Sequence, residues 1–262
     1  MKLTEKEELA RQKLCLPLDN LYSLDEVRAR VQELRSVVGM FKIGMGSYTR
    51  FGPDVVRMVR DSGVNVFLDL KFKDIPNTVE DAANAATKLG IYMFNVHVDG
   101  GRAMLRAAVK GATECAEEYN VRKPKVIGVT VLTSIDKEVM TSELGYYSLQ
   151  HPTDHVREYV LRFAKLAEDS GLDGIVCSAQ DLSGNFRYDA SLAKPDFMFV
   201  TPGIEGPNAA VGDDQKRVAT PGQAIRDGSS LLVVGRAITA GKNPEERVER
   251  GHRILQDMAL YL

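Results

Sequence analysis

Residues 64–89 read VNVFLDLKFKDIPNTVEDAANAATKL, and the change of pattern inside this stretch decides the fold. From Val64 to Lys71 the chain is a short run dominated by β-branched, aromatic and leucine residues, which predicts a strand. From Val79 to Leu89 the apolar residues recur at helical spacing instead. A strand that hands over to a helix through a short polar turn is half of a parallel crossover, with the helix covering the sheet that the strand joins.

Working outward, the same hand-over recurs in both directions. Strands are predicted at Leu14 to Asp19 (LCLPLD), Met40 to Gly44 (MFKIG), Tyr92 to Val98 (YMFNVHV), Val126 to Leu132 (VIGVTVL), Gly174 to Ser178 (GIVCS), Phe197 to Thr201 (FMFVT) and Leu231 to Gly235 (LLVVG). Helical periodicity fills Leu24 to Val37, Pro53 to Ser62, His155 to Ser170 and Glu245 to Leu260. No Pro/Gly/Ser-rich linker breaks the rhythm, so residues 1–262 are expected to form one α/β domain. Eight strand-helix units in about 250 residues match a (β/α)8 TIM barrel, although a doubly wound sheet can be cut from the same pattern. The polar groups favour the barrel. Asp19, Lys42, Asp69, Lys71, His97, Thr133, Thr201 and Gly235-Arg236 fall at the C-terminal ends of the strands, where barrel enzymes place their chemistry.

Composition narrows the class. With 262 residues, 44% hydrophobic and 27% charged, the chain can bury a large core, which excludes disordered and collagen-like readings. A net charge of -2, from 34 Lys+Arg against 36 Asp+Glu, supplies no basic field for a nucleic-acid backbone. The opening MKLTEKEELARQK is charged almost throughout, and nowhere do eighteen apolar residues run together, so neither export nor a membrane span is expected. Cys15, Cys115 and Cys177 are odd in number and far apart, as suits a reducing, cytoplasmic setting.

The chemistry concentrates in LDLKFKDIPNT, 68–78. Asp69 and Lys71 are two apart and share a strand face, and Asp74 follows in the turn, so two carboxylates flank one ammonium. Lys42 ends the preceding strand. Joined to the group, it makes an array of two positive and two negative charges that can be buried without an unpaired charge. The plainer reading is an ion-pair network at a strand end. After it, Asn77 is expected to cap the next helix, with Glu80 completing a capping box.

A second cluster lies near the end. Gly235 permits close backbone approach and Arg236 offers a bidentate fork, which suits a phosphate after the eighth strand. The segment 202–215 is long for a strand-helix loop and is expected to act as a lid. No metal is expected: His151 and His155 are separated by Pro152 and lack the HExxH glutamate, and His97 with Asp99 is as well read as a hydrogen-bonded histidine. GMGSY at 44–48 lacks the third glycine of a dinucleotide site. Arg28, Arg30, Arg35, Arg247, Arg250 and Arg253 alternate with acids and are expected on solvated helix faces.

These residues carry a resemblance. LPLD ending at Asp19, FKIG with Lys42, DLKFKDIPNT at 69–78, NVHVDGG at 95–101, VTVLTS at 129–134, VTPGI at 200–204, DDQKR at 213–217 and VVGRAI at 233–238 resemble the orotidine 5'-phosphate decarboxylase family over nearly the whole chain. The resemblance implies a (β/α)8 barrel, a homodimer, no metal or organic cofactor, and conversion of orotidine 5'-phosphate to UMP and CO2. It implies that Lys71 donates a proton to C6 of the pyrimidine, with Asp69, Asp74 and Lys42 completing the charged array. Asp74 and Thr78 are implied to reach into the partner's site, with Ile75 and Pro76 between them in the substrate-binding group. Asp19 and Lys42 are implied to hold ribose hydroxyls, Thr133 the base, and Gln215, Gly235 and Arg236 the phosphate. Glu205 stands where many bacterial members have arginine, and is expected to point away from the phosphate. The nearest rival is a Mg2+-dependent decarboxylase or aldolase of sugar phosphates, which can share DxKxxD but not DIPNT with Asp19 and VTVLTS. A non-catalytic barrel is the other rival, and it has no need of Lys71, Asp69 and Asp74 together.

Overall fold

The computed structural model describes residues 3–146, 155–206 and 219–262, residue 155 by its backbone. Eight parallel strands close on themselves: β1 (Leu14–Pro17), β2 (Met40–Gly44), β3 (Asn65–Phe72), β4 (Met93–His97), β5 (Lys125–Val129), β6 (Gly174–Val176), β7 (Met198–Thr201) and β8 (Leu231–Val233). Each pairs with its neighbour in sequence, and the ring is sealed where β8 meets β1 through Leu14↔Leu232 and Cys15↔Val233. That last pairing decides against the doubly wound sheet, whose edges stay open. All eight predicted strands are found. Several are shorter at the C-terminal end than their apolar runs, with Leu18, Val131 and Val234 lying beyond the strand ends while staying buried.

Strand alternation makes two apolar layers. Cys15, Met40, Phe67, Met93, Ile127, Val200, Leu231 and Val233 fill the barrel's interior, as branched and bulky side chains do in this architecture. The alternate residues, among them Leu16, Phe41, Leu68, Phe94 and Leu232, face outward into the larger core beneath the helices. The main covering helices are Leu24–Leu34, Pro53–Asp61, Pro76–Lys88, Gly101–Glu118, His155–Asp169 and Pro244–Ala259. An additional N-terminal helix, Glu5–Gln12, is capped reciprocally by Thr4 and Glu7.

Two expectations are corrected. The helix after β3 begins at Pro76 with Ile75 as its N-cap, and has no side-chain cap. Proline's fixed φ and missing N–H suit the first helical position, which moves the start ahead of Asn77 and leaves Glu80 to pair with Lys110 at 2.6 Å. Arg247 is not on a solvated face: it forms a bidentate pair with Glu33, at 2.6 and 3.0 Å, between Leu24–Leu34 and Pro244–Ala259. Its long side chain fills the crevice between these helices better than it serves water.

Candidate active site

The interior register of the strands continues upward from the apolar layer into charge. Above Met40 stands Lys42, above Phe67 stands Asp69, and above Met93 stands Asn95, each two residues further along its strand. Together they floor a cavity of about 970 Å3 at the C-terminal mouth, which Asp19, Lys71, Thr133, Gly235 and Arg236 also line.

Asp69 is the hub. Its side chain is only 11% exposed, with Oδ1 2.5 Å from Lys71 Nζ and Oδ2 2.9 Å from Lys42 Nζ. Lys42 Nζ in turn lies 3.4 Å from Asp19 Oδ2 at the rim. Burial by itself would push the Asp69 carboxyl up, but the Lys42 and Lys71 ammoniums and the hydrogen bonds from Lys71 and Asn95 outweigh it and hold the group below the ordinary carboxylate range. Burial would likewise depress Lys42, and Asp69 with Asp19 reverses the sign and raises it. Beneath them the Cys15 thiol is fully buried and held up by desolvation, so it is neutral.

Lys71 owes its position to an irregular strand. The β3–β4 register runs Leu68↔Phe94 and then Phe72↔Val96, so four steps on β3 span two on β4. Such a bulge re-aims a side chain. Lys71 sits inside it with φ +53°, in the left-handed region. Gly44 is fixed by the same group: a Cβ there would stand 2.9 Å from Asp19 Oδ1 and 3.2 Å from Lys42 Nζ.

Asp74, Ile75, Pro76 and Thr78 are placed elsewhere. They form an exposed run outside this chain's own cavity, and Asp74 Oδ1 accepts the Ile75 N–H at 2.7 Å rather than meeting Lys71. Within one chain the expected flanking of Lys71 by two carboxylates is therefore absent. Asp69, through Lys71 Nζ, and the Asn95 side chain, through the Lys71 backbone N–H, are its local frame. Glu205 borders the cavity, and the segment it belongs to is pinned to Ala219 through Glu205 N–H to Ala219 O at 3.1 Å. Gln215 and the DDQKR run, the greater part of 202–215, and His151 lie outside the described residues. His97 is half-buried and lowered by desolvation, with Asp99 3.9 Å away and drawn instead to Lys73 at 2.6 Å. Among the described residues no group of three His, Cys, Asp or Glu side chains could hold a metal ion. The residue that sequence reading passed over is Asn95, although an amide between the apolar Phe94 and Val96 of YMFNVHV was its signal.

A closed parallel barrel with an alternating lysine-aspartate array on the floor of its C-terminal mouth defines a barrel enzyme whose polar residues converge where such folds do chemistry. Comparison with known proteins makes this specific. The Orotidine 5'-phosphate decarboxylase / HUMPS family matches residues 12–250. The chain is similar to the orotidine 5'-phosphate decarboxylase of Syntrophotalea carbinolica, 46% identical over 253 residues and 97% of each chain. It is 44% identical over 242 residues to that of Syntrophus aciditrophicus, covering 92% of this chain and 91% of the relative. Among solved structures, the orotidine 5'-phosphate decarboxylase from Lactobacillus acidophilus superposes with a TM-score of 0.76 at 32% identity, over 94% of this chain and 98% of that one. The chain belongs to the orotidine 5'-phosphate decarboxylase family.

Proposed function

We propose that the protein is a carboxy-lyase that converts orotidine 5'-phosphate to UMP and CO2 without a metal, and that it works as a homodimer in the cytoplasm. The observation that carries this reading is the linked set Asp19–Lys42–Asp69–Lys71, two carboxylates alternating with two ammoniums, inside a barrel mouth large enough for a nucleotide.

Breaking the C6–carboxylate bond releases CO2 and leaves the electron pair on C6. The Lys71 ammonium, fixed beside Asp69, stabilises that charge electrostatically and then gives its proton to C6; the neutral amine regains a proton from solvent. Because Asp69 remains ionised and holds both lysines in place before substrate arrives, little reorganisation is required at the moment of reaction. Asp19 and Lys42 hold the ribose, Thr133 faces the base, and Gly235 and Arg236 take the phosphate together with Gln215. Binding energy from the distant phosphate then offsets the cost of desolvating the charged centre.

The exposed placement of Asp74, Ile75, Pro76 and Thr78 supports their acting in the cavity of a second copy. The three cysteines, buried and without disulfides, support a reducing compartment. Among the described residues no helix is long and apolar enough to cross a membrane.

The test follows ultraviolet absorbance and UMP formation from orotidine 5'-phosphate in EDTA, beside Lys71→Ala. Turnover by the wild type, reduced about 1,000-fold or more in the variant, is expected. Orotidine, lacking the phosphate, should show a far lower kcat/KM. Inactivity of folded wild-type protein in EDTA, restored by Mg2+ with a sugar phosphate, would overturn the reading in favour of the Mg2+-dependent chemistry.

A further inference from the structure

Asn95 is 1% exposed in a strand whose neighbours are apolar, and a buried amide persists only with its hydrogen bonds made. Its Oδ1 accepts the Lys71 backbone N–H at 2.8 Å, and its Nδ2 donates to Asp69 Oδ1 at 2.7 Å. Both contacts cross the β3 bulge. Where the irregular register removes Lys71 from the β4 ladder, the side chain of Asn95 supplies the acceptor that a β4 carbonyl would otherwise provide. The left-handed φ of Lys71 is unfavourable for a residue with a Cβ, and this bond holds it. Asp69 Oδ1 receives Asn95 Nδ2 and Lys71 Nζ together, which leaves Oδ2 for Lys42. One amide thus fixes the backbone that aims the lysine and the carboxylate that anchors its head.

We infer that Asn95 is a positioning residue, whose amide spans the β3 bulge to set the Lys71 ammonium and the Asp69 carboxylate in their working geometry. The inference rests on the decarboxylase reading for its consequence in turnover, and on the bulge itself for its structural content. The charged groups facing Asn95 are Asp69 and Lys71 from β3, with Lys42 from β2 behind Asp69; His97 lies two residues along β4, and the β5 partner of Asn95 is the uncharged Ile127.

Two variants test it. Asn95→Asp keeps the shape and the acceptor, but can donate to Asp69 only while the introduced carboxyl is protonated, and the two facing acids share one proton. Its kcat should fall toward high pH with an ionisation that the wild type lacks, reaching a loss of about 100-fold, while KM and UMP affinity change by less than about threefold. Asn95→Leu removes both bonds at all pH values and should lose kcat throughout. Exchange of the Lys71 backbone amide with deuterium, followed by NMR, needs no activity: it should accelerate about 100-fold or more in Asn95→Leu, with the Phe67 and Phe94 amides retaining their protection. A folded Asn95→Asp protein with wild-type kcat across pH, or an unchanged Lys71 amide in Asn95→Leu, would overturn the inference. Should Asn95→Leu fail to fold, the Asn95→Asp pH profile decides, with Asn95→Ala, which also lacks the acceptor, replacing it in the Lys71 exchange measurement. Should the wild type not decarboxylate orotidine 5'-phosphate, the functional reading falls while the amide exchange still decides whether Asn95 holds Lys71.

Discussion

Desolvation and charge pull Asp69 and Lys42 in opposite directions, and at both residues charge wins. The lowered Asp69 carboxyl contributes stability that is present above its unfolded value near pH 4 and is lost as pH falls through its folded value. The raised Lys42 contributes stability that is fully present below about pH 10 and is lost as pH rises through its folded value. Asp69→Asn removes the carboxylate shared by the two ammoniums, leaving Lys42 only Asp19 at 3.4 Å. Thermal melts at a series of pH values should show a lower Tm at pH 7, with the gap to wild type closing as pH falls below about 4; a gap that widens in acid would contradict the assignment. At Gly44 the constraint is steric. A methyl group between Asp19 and Lys42 parts them, so Gly44→Ala should raise KM about tenfold with little change in Tm, as steady-state kinetics beside calorimetry would show.

Among the elements, strands were legible and their irregularities were not. Eight apolar runs marked eight strands because a barrel buries both faces of its sheet, and such strands read as near-continuous hydrophobic segments. The bulge at Lys71 left no such mark. No glycine or asparagine signals the left-handed turn there, and the i, i+2 spacing of Asp69 and Lys71 reads as ordinary alternation. The helix start was misplaced for a local reason, since Pro76 competes with Asn77 for the first turn and prevails. Packing of Pro76–Lys88 on Gly101–Glu118 depends on Gly111, where a Cβ would come within 2.3 Å of the Glu80 carbonyl oxygen. Gly111→Ala must force the two helices apart. A loss of about 1–3 kcal/mol is expected in denaturant unfolding, and a neutral outcome would mean that the contact relaxes more freely than its geometry suggests.

For the molecule as a whole, the spacing within DLKFKDIPNT groups its residues without saying which cavity each of them lines. Asp74, Ile75, Pro76 and Thr78 stand outside the cavity of their own chain, a distinction that motif spacing does not contain. If they serve a partner, Lys71→Ala and Asp74→Ala subunits refolded together should regain activity, because each mixed dimer holds one site with both native residues. Random pairing gives about one quarter of wild-type activity, and no recovery in verified hybrids would exclude the shared site. The ion pair between Glu33 and Arg247 joins distant parts of the chain, with side chains 12% and 14% exposed. Arg247→Leu should cost about 1.5–3 kcal/mol, with partial recovery when Glu33→Leu is added, since the Glu33 carboxylate is otherwise left only its longer contact with Arg30 at 3.7 Å.

The seal between the first and last strands also gives the protein a history each time it is made. Asp19, Lys42, Asp69, Lys71 and Asn95 all belong to the first four strands or the turns that follow them, whereas the ring closes only through Leu231–Val233. A chain leaving the ribosome therefore carries the charged floor of its cavity on the order of ten seconds before the strand that completes the wall has been synthesised. The enclosing wall is complete only when Leu231–Val233 pairs with β1, so the cavity and the closed barrel are finished by the same strand.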